Sequence, residues 1–367
     1  MRIVIDARMM ALRWTGIGLY TRKLIENLQQ IDRDNKYFVL LDRDQFEVWQ
    51  PSSPNFSKVL APYKVYGLSE QLFLPFKLRR LKPDLVHFLH FNAPIFYSGQ
   101  RITTIHDTTL VDFDVSPGGM VGSLKYRLKQ VGMRAAFNRA SKAQAIITPS
   151  QATADALIKR LGHELANKIT VTHEAVDLPN QEPTHLIILD PPMLLYVGNL
   201  YPYKNLGRLL EAMPVVLKSA PQTRLQIIGN TPRFIDQLKA QAKDLQIADH
   251  VEFLGFVSDQ ELQRYYSNAS LFVFPSLSEG FGLPPFEAMA AELPVLAARA
   301  TCLPEVLGDA AEFFDPTDST DLANKVITLL NDPTKLAGLQ QKGWLHLKQF
   351  SWSKMAGETR SVYNKFN

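Results

Sequence analysis

The stretch LFVFPSLSEGFGLPPFEAMA, residues 271–290, joins an apolar strand to a helix through a glycine-containing loop. Gly280 and Gly282 give this loop backbone freedom after the strand LFVFPS. Pro284 and Pro285 are typical of a helix start, because their missing N–H groups would have no intrahelical partner. A buried strand, a glycine loop and a helix in this order predict one unit of a parallel α/β sheet.

Short apolar strands alternate with helices on both sides of this stretch. In the first half the expected strands read RIVIDAR, YFVLLD, LVHF, ITTIHD, AIITPS and KITVTHE, and helices are expected between most of them, for example over Tyr20–Leu28 and Ser123–Arg139. In the second half the expected strands are MLLYVGN, RLQIIGN, VEFLGF, LFVFPS and PVLAAR. This alternation predicts parallel sheets covered on both faces, and therefore an α/β fold with two Rossmann-like, doubly wound domains that face a central cleft. We expect the first domain over residues 1–178 and the second over 189–351, with the C-terminal helix, about 352–367, packing back on the first. The proline-rich segment Val176–Pro192 is the expected linker. Ligands of open α/β sheets bind beyond the carboxyl ends of the strands.

The composition is that of a folded globular protein. Of 367 residues, 46% are hydrophobic and 21% are charged, which excludes disordered, collagen-like and coiled-coil chains. No apolar run approaches the ~20 residues that span a bilayer, and MRIVIDAR resembles a strand rather than a signal peptide. Cys302 is the single cysteine, so no internal disulfide framework is expected. A cytoplasmic location fits, either free or peripheral at the inner face of the membrane.

Charge is distributed unevenly along the chain. Residues 1–180 contain 24 Lys and Arg against 16 Asp and Glu, a net charge of +8, so the remaining residues carry −4 of the total of +4. Much of the excess lies in KLRRLK, Lys77–Lys82, and in LKYRLKQVGMR, Leu124–Arg134. Each stretch is either a solvated helix face or a surface for anionic lipid or a lipid-diphosphate acceptor. Nucleic acid is not an expected partner, because no binding motif accompanies the charge.

Two loops that follow the first strand of each expected domain are candidates for anion binding. In TGIGLYTRKL, Gly16 and Gly18 precede a helix, where free N–H groups can hold an anion or where the glycines simply form a tight turn. In YVGNLYPYKNL, Gly198 ends a strand and Lys204 lies just before a helix. A cation beside a helix N-terminus can hold a diphosphate, whereas an isolated lysine is usually solvated.

Glu279 and Glu287 are the candidate chemical groups of the 271–290 stretch. They lie eight residues apart, one in the loop and one expected in the first turn of the helix. Two carboxylates at one strand–helix junction can accept hydrogen bonds from sugar hydroxyls. The alternative is a surface carboxylate and a helix-start carboxylate that the helix dipole stabilises.

With its glycines and prolines, this stretch resembles the E-x7-E motif of the retaining glycosyltransferases of family 4, which have the GT-B fold. Further stretches resemble blocks of that family in the same order: TGIGLYTRKL, IHDTTL, ITPSQATADAL, YVGNLYPYKNLGRLLEA, VEFLGFVSDQELQRYY and LPEVLGDAAEFFDP. The resemblance covers almost the whole chain. It implies a hexosyltransferase that binds a glycan or lipid-linked acceptor in the first domain and a nucleotide-sugar donor in the second, and that retains anomeric configuration.

The resemblance also implies roles for single residues. Glu287 would bond the ribose of the donor, Glu279 would bond hydroxyls of its sugar, and Lys204 would neutralise the diphosphate. The family often has an arginine where this sequence has Asn199, which brings no charge, so leaving-group stabilisation would depend on Lys204 and helix termini or on another base. His106 matches the family histidine near the reacting centre, the alternative being a histidine bonded within the fold.

Backbone groups complete the implied donor site. N–H groups near Gly282 and Leu283 would face the sugar and the diphosphate, and the nucleobase would lie against Gly255 and Phe256. The implied catalytic residues are His106, Lys204 and Glu279. The implied donor-binding residues are Gly16, Gly18, Gly198, Asn199, Lys204, Gly255, Phe256, Glu279, Gly280, Phe281, Gly282, Leu283 and Glu287.

No metal or cofactor is expected, because the histidines are scattered and Cys302 stands alone; the nucleotide-sugar is a substrate. Resemblance to bacterial mannosyltransferases of polysaccharide assembly favours GDP-mannose as the donor, with UDP-glucose or another UDP-hexose as the alternative. A non-catalytic nucleotide-sugar-binding protein and a nicotinamide-dependent oxidoreductase are the other classes considered. The oxidoreductase is disfavoured, because both halves lack a full dinucleotide fingerprint.

Overall fold

The structure is a computed structural model that describes residues 1–11, 15–113, 124–178 and 191–367. These residues form two compact units, Met1–Glu174 with Ser351–Asn367, and Ala175–Phe350. Most of the expected linker Val176–Pro192 lies outside the described residues, as does Ser123 at the expected start of a helix. None of the described helices has the length and apolarity that a bilayer crossing requires.

The first unit is built on a seven-stranded parallel sheet. Its strands are β1 Arg2–Asp6, β2 Lys36–Leu41, β3 Phe56–Leu60, β4 Leu85–Phe88, β5 Arg101–Thr104, β6 Ala145–Thr148 and β7 Ile169–Val171. They lie in the order β3-β2-β1-β4-β5-β6-β7. The helices of this segment are α1 Gly16–Ile31, α2 Arg43–Val48, α3 Leu68–Leu81, α4 Thr109–Asp112, α5 Leu124–Ala140 and α6 Gln151–Leu161.

The second unit repeats this architecture with six parallel strands. They are β8 Met193–Val197, β9 Arg224–Ile228, β10 Val251–Gly255, β11 Leu271–Phe274, β12 Val295–Ala298 and β13 Glu312–Phe314. Their order is β10-β9-β8-β11-β12-β13. The helices are α7 Leu206–Ser219, α8 Pro232–Asp244, α9 Asp259–Ser267, α10 Leu283–Ala290, α11 Leu303–Leu307, α12 Ser319–Leu330 and α13 Pro333–Leu347.

Both strand orders reverse direction beside the first strand of the unit, which is the Rossmann arrangement. The reversal lies between β1 and β4 in one sheet and between β8 and β11 in the other. The predicted α/β class with two doubly wound sheets is therefore confirmed. In each sheet, the loops beside the reversal are where a ligand is expected.

The C-terminal helix α14, Trp352–Asn364, belongs to the first unit. Its predicted start is confirmed, because the side chain of Ser351 accepts the N–H of Lys354. The hydroxyl oxygen of Tyr363 lies 2.7 Å from Nδ1 of His87 in β4, within hydrogen-bonding distance. Arg360 donates to Asp34 at 3.0 Å. A buried hydrogen bond and an ion pair therefore fasten the last residues to the first sheet.

Two strands were not expected from the sequence, and both lie at sheet edges. β3 reads FSKVL and is half-exposed over most of its length, whereas β13 contains only the three residues EFF. Edge strands are covered on fewer sides than central ones. The other two edge strands, β7 and β10, were nevertheless expected, whereas the sequences of β3 and β13 were not recognised as strands. Several central strands are buried throughout, as in LVHF of β4 and LFVF of β11.

Candidate functional site

A buried ion pair lies where β8 and β11 of the second unit end. Lys204 closes the 3-10 turn Pro202–Lys204 after β8, and Glu279 lies in the loop after β11. Nζ of Lys204 donates to Oε1 of Glu279 at 2.5 Å, and the two side chains are only 10% and 12% exposed. The fold thus brings together a lysine and a glutamate that are 75 residues apart in the sequence.

The residue after Lys204 sets the direction of the chain into α7. Asn205 has a φ of 60°, in the left-handed region, which ends the 3-10 turn and begins the helix. Its side chain does not cap α7 but donates from Nδ2 to the carbonyl of Pro316 at 2.9 Å. Two aromatic rings lie near the ammonium group of Lys204, with Nζ 5.3 Å from the ring centroid of Tyr203 and 5.5 Å from that of Phe274. Lys204 is therefore held in a mostly apolar setting, where charge interactions are stronger than in water.

Two residues after β12 hold the glutamate loop in place. The hydroxyl of Thr301 accepts the N–H of Glu279 at 3.1 Å. Sγ of Cys302 donates to the carbonyls of Glu279 and Phe281 at 3.3 and 3.4 Å. Burial raises the pKa of the Cys302 thiol well above its usual range, so the donor proton is retained at neutral pH. Sequence reasoning did not assign Cys302 this role, because its partners lie more than twenty residues away.

The glycine before α10 is required by its conformation and by a neighbour. Gly282 has a φ of 97°, and a Cβ there would lie 2.9 Å from Cδ2 of Leu303. Helix α10 begins at Leu283, so Glu287 is its fifth residue. The expectation that Glu287 lies in the first turn is wrong, because the helix already starts at Leu283, before the two prolines that were expected to begin it. The helix dipole therefore contributes little to Glu287.

Glu287 is instead fixed by a tyrosine from α9. The hydroxyl of Tyr266 donates to Oε2 of Glu287 at 3.1 Å, and Tyr266 is 1% exposed. Burial raises the pKa of Glu287 and the charge of Asp259 raises it further, while the hydrogen bond from Tyr266 opposes them. Sequence reasoning did not single out Tyr266. The sequence offers only one indication of this role: Tyr266 is an aromatic residue with a polar hydroxyl. The structure shows that it is the one buried residue of α9.

Three glycines end adjacent strands of the second sheet. The N–H of Gly198 donates to the carbonyl of Ile228 at 2.9 Å, and that of Gly229 donates to the carbonyl of Gly255 at 2.9 Å. A Cβ on Gly229 would lie 1.7 Å from the carbonyl oxygen of Gly198. Sequence reasoning named Gly198 and Gly255 but not Gly229, although all three stand at the end of a strand.

The remaining donor-site candidates of the second unit lie near the same sheet edge. The carbonyl of Asn199 accepts the hydroxyl of Tyr196 at 2.7 Å, so this residue shapes the turn after β8. Phe256, which follows β10, is 57% exposed. Phe281 is buried, with its ring centroid 4.9 Å from that of Phe286, and Gly280 precedes it in the loop.

His106 lies two residues beyond β5 in the first unit, and both of its ring nitrogens are engaged. Nε2 is 3.0 Å from the carbonyl of Leu89, and Nδ1 is 3.1 Å from Oε1 of Glu174. A carbonyl can only accept, so Nε2 carries a proton, and the carboxylate favours a second proton on Nδ1. Burial opposes the charge, but the hydrogen bond and charge of Glu174 raise the pKa of His106. His106 is therefore bonded within the fold, as the alternative interpretation of this residue expects. Its role near the reacting centre stays a prediction.

Gly16 and Gly18 form the first turn of α1 in the first unit. The hydroxyl of Thr15 accepts the N–H of Gly18 at 3.1 Å, which caps this helix. The same sheet edge holds a buried network in which Arg8 donates to Asp6 and to Glu70, both at 2.6 Å.

Replacing Glu174 with glutamine should destabilise the protein more at low pH than at high pH. Below about pH 6.5, the usual pKa of an unfolded histidine, the stabilising charge pair with His106 is fully present; it is lost as the pH rises through the raised pKa of folded His106. We expect a cost of about 3 kcal/mol near pH 6 and a smaller cost near pH 9. Urea unfolding across this range measures it.

The matched control is Glu47→Gln, which removes a solvent-exposed carboxylate of the same unit. It should change the free energy of unfolding by less than about 0.5 kcal/mol at every pH. A cost of Glu174→Gln that did not depend on pH would contradict a protonated His106.

Metal-binding residues do not cluster in the described part of the chain: it holds no group of three or more His, Cys, Asp or Glu placed to bind a metal ion.

Comparison with protein families accounts for both halves of the sequence. A family model described as Glycosyltransferase Family 4 matches residues 14–179, and one described as Glycosyl transferases group 1 matches residues 179–344. The O-antigen chain mannosyltransferase B of Escherichia coli is 26% identical over 388 residues, 99% of each chain. The MMP alpha-(1->4)-mannosyltransferase of Mycolicibacterium hassiacum is 34% identical over 174 residues, 45% of this chain and 40% of that protein.

Solved structures share the fold over the full length. HepE of Anabaena, in complex with UDP and glucose, gives a TM-score of 0.74 at 20% identity and covers 100% of both chains. Sucrose-phosphate synthase of Thermosynechococcus elongatus gives a TM-score of 0.72 at 20% identity, covering 99% of this chain and 98% of the other. At this level of identity the likeness concerns the fold.

Proposed function

The chain belongs to glycosyltransferase family 4, and from this premise we propose that it transfers a hexose, with retention of anomeric configuration, from a nucleoside diphosphate to an acceptor hydroxyl. The acceptor is a glycan or a lipid-linked saccharide bound by the first unit, and the product enters polysaccharide or glycolipid synthesis. The basic first half of the chain favours a peripheral location at the inner face of the membrane. The reaction requires neither a metal ion nor a cofactor.

The observation that carries this proposal is the buried pair of Lys204 and Glu279 beside the start of α10. The donor diphosphate is an anion that can replace Glu279 as the partner of Lys204. Glu279 is then free to accept hydrogen bonds from hydroxyls of the donor sugar. Without donor, Lys204 and Glu279 neutralise each other. When the donor binds, its diphosphate replaces Glu279 as the partner of Lys204.

Glu287 completes the donor site from the other side of the loop. A carboxylate with a raised pKa, oriented by Tyr266, can accept hydrogen bonds from the two ribose hydroxyls. Pro284 and Pro285 have no N–H, so the backbone donors at the start of α10 come from Gly282 and Leu283. In the proposed complex these two N–H groups face the diphosphate. Asn199 offers an amide where the family often has a charge.

The chemical step proceeds with bond breaking ahead of bond making. Positive charge develops on the anomeric carbon, and negative charge develops on the departing diphosphate. Lys204 and the N–H groups of Gly282 and Leu283 stabilise that negative charge, which is the role a metal ion fills in other phosphate sites. An oxygen of the departing phosphate takes the proton of the acceptor hydroxyl, so no side chain is needed as a general base.

GDP-mannose is the favoured donor, and UDP-glucose is the alternative. The name of the Escherichia coli relative, which spans the whole chain, favours mannose. The HepE structure contains UDP and glucose, but its likeness concerns the fold. Mannose therefore has the better support.

The test is a thermal-shift and turnover screen of GDP, UDP and ADP with their sugars, with and without EDTA. We expect GDP-mannose to raise the melting temperature and to be consumed in the presence of EDTA, because a ligand stabilises the state that binds it. Glu287→Ala should lower donor affinity about tenfold or more, and Tyr266→Phe by less, since the carboxylate remains. Tyr265→Phe, a change at the neighbouring tyrosine, is the matched control.

Three results would overturn parts of this proposal. A shift with UDP-hexoses alone would replace the donor, and activity lost with EDTA and restored by a divalent cation would replace the metal-free step. Nucleotide binding without consumption of any donor sugar, in the parent and in the variants alike, would leave a nucleotide-sugar-binding protein.

A further inference from the structure

Helix α3 is apolar on a face that the structure leaves exposed. Its buried face is formed by Glu70, Leu74, Pro75 and Leu78. The opposite face carries Leu68, Leu72, Phe73 and Phe76, which are exposed by 81%, 52%, 55% and 63%. A surface helix of a globular protein normally presents polar residues on its outer face, and a helix that is apolar all round is normally buried.

A neighbouring loop enlarges this face. The N–H of Ile95 donates to Oε1 of Gln71 in α3 at 2.8 Å, and the next residue, Phe96, is 64% exposed. We call the five exposed side chains Leu68, Leu72, Phe73, Phe76 and Phe96 the α3 patch. Exposed apolar residues grouped in this way mark interaction surfaces, whereas scattered ones are common on any protein.

Positive charge borders the α3 patch. Arg79 and Arg80 are exposed in the last turn of α3, three and four residues after Phe76, and the guanidinium of Arg79 lies 5.9 Å from the Phe76 ring. On the loop side, Arg139 donates to the carbonyl of Tyr97. Long cationic side chains beside aromatic rings are typical of the boundary between lipid headgroups and acyl chains.

Beneath this loop lies a further uncompensated cation. Arg101 is 3% exposed, and its NH2 donates to the carbonyls of Arg139 and Lys142 at 3.3 and 3.2 Å, while its Nε has no partner. Burial and the nearby charge of Arg139 lower the pKa of Arg101.

Carboxylates do not balance this charge. Within the described residues, none of Arg79, Arg80, Arg101 and Arg139 pairs with an acidic side chain. Glu70, the single acidic residue of α3, is fully buried and pairs with Arg8. The surface around the α3 patch is therefore both apolar and positively charged.

We propose that the α3 patch is a membrane-docking surface, which inserts its leucine and phenylalanine side chains at the headgroup boundary of an anionic bilayer. Arg79, Arg80 and Arg139 then lie against lipid phosphates. A second copy of the chain is a poorer occupant, because a two-fold contact across this face would bring arginines together without a carboxylate between them. An anionic bilayer satisfies both the apolar residues and the charge.

The test is co-sedimentation of the full-length protein with phosphatidylcholine vesicles that contain or lack phosphatidylglycerol. The parent should bind the anionic vesicles, and less so at high salt. The double variant Phe73→Ser/Phe76→Ser should lose about tenfold or more in partitioning, because two large apolar side chains no longer insert. Arg79→Gln/Arg80→Gln should lose about twenty-fivefold on anionic vesicles only, since each cation near such a surface contributes about fivefold.

Leu345→Ser is the matched control, because Leu345 is 53% exposed on α13 of the second unit. It should bind vesicles like the parent. The inference fails if the parent binds anionic vesicles no better than neutral ones at low salt. It also fails if sedimentation velocity shows a parent dimer that Phe73→Ser/Phe76→Ser dissociates while no vesicles are bound. Vesicle binding needs no sugar donor, so either failure leaves the proposed reaction untouched.

Discussion

Replacing Lys204 with methionine should lower kcat/KM for the donor by about a hundredfold to a thousandfold. Methionine keeps much of the length of lysine but cannot donate to the departing diphosphate. The loss should appear mainly in kcat, because the charge it stabilises develops most fully in the transition state. Steady-state turnover of the donor that the thermal-shift screen identifies measures it. A variant that kept more than about a third of the parent rate would remove Lys204 from the leaving-group site.

The same substitution tests the ion pair. Without Lys204, the carboxylate of Glu279 stays almost buried and unpaired, which should cost about 3 kcal/mol of unfolding free energy. Adding Glu279→Gln to the Lys204 variant should restore part of that stability, because the buried charge is removed. Lys325→Met is the control: Lys325 pairs with Glu312 but is 35% exposed, so its loss should cost less than about 1 kcal/mol.

Replacing Gly229 with alanine should have the largest effect on folding. The new Cβ would lie 1.7 Å from the backbone carbonyl oxygen of Gly198, and its position is set by the backbone of Gly229 at the ends of paired strands. No rotation of a side chain relieves such a contact, so β8 and β9 must separate where the Lys204 turn begins. We expect a loss of about 4 kcal/mol or more, seen as a low melting temperature or insoluble protein.

Two other glycines serve as controls for Gly229. Gly338 lies within α13, where an added Cβ meets nothing within 4 Å, so Gly338→Ala should stabilise the protein by about 0.5–1 kcal/mol. Gly255 also has open space but a φ of +69°, so Gly255→Ala should cost about 1 kcal/mol through backbone strain alone. A Gly229→Ala protein as stable as the parent would show that the ends of β8 and β9 are not held as closely as the structure places them.

Most of the fold could be predicted because buried parallel strands read as short apolar runs between helices. The runs LVHF and LFVF identified β4 and β11, and two doubly wound sheets followed from the alternation. The strands FSKVL and EFF were not expected, since the short pattern of each resembles that of a loop. The outward apolar face of α3 was not predicted for a related reason. A helix with apolar residues on both faces lacks the separation of apolar and polar positions from which its buried face is predicted.

The candidate site likewise has features that the sequence alone predicted and contacts that it did not. The sequence alone determined the local features. These are the spacing of Glu279 and Glu287, the glycines around them, and the lysine after the first strand of the second half. The pairing of Lys204 with Glu279 and of Tyr266 with Glu287 joins positions 75 and 21 residues apart. Only the tertiary structure decided these contacts, as it did those of His106 with Glu174 and of Cys302 with the glutamate loop. The reason is physical: periodicity and spacing report on a few neighbouring residues, whereas a buried hydrogen bond depends on which strand ends the sheet places side by side.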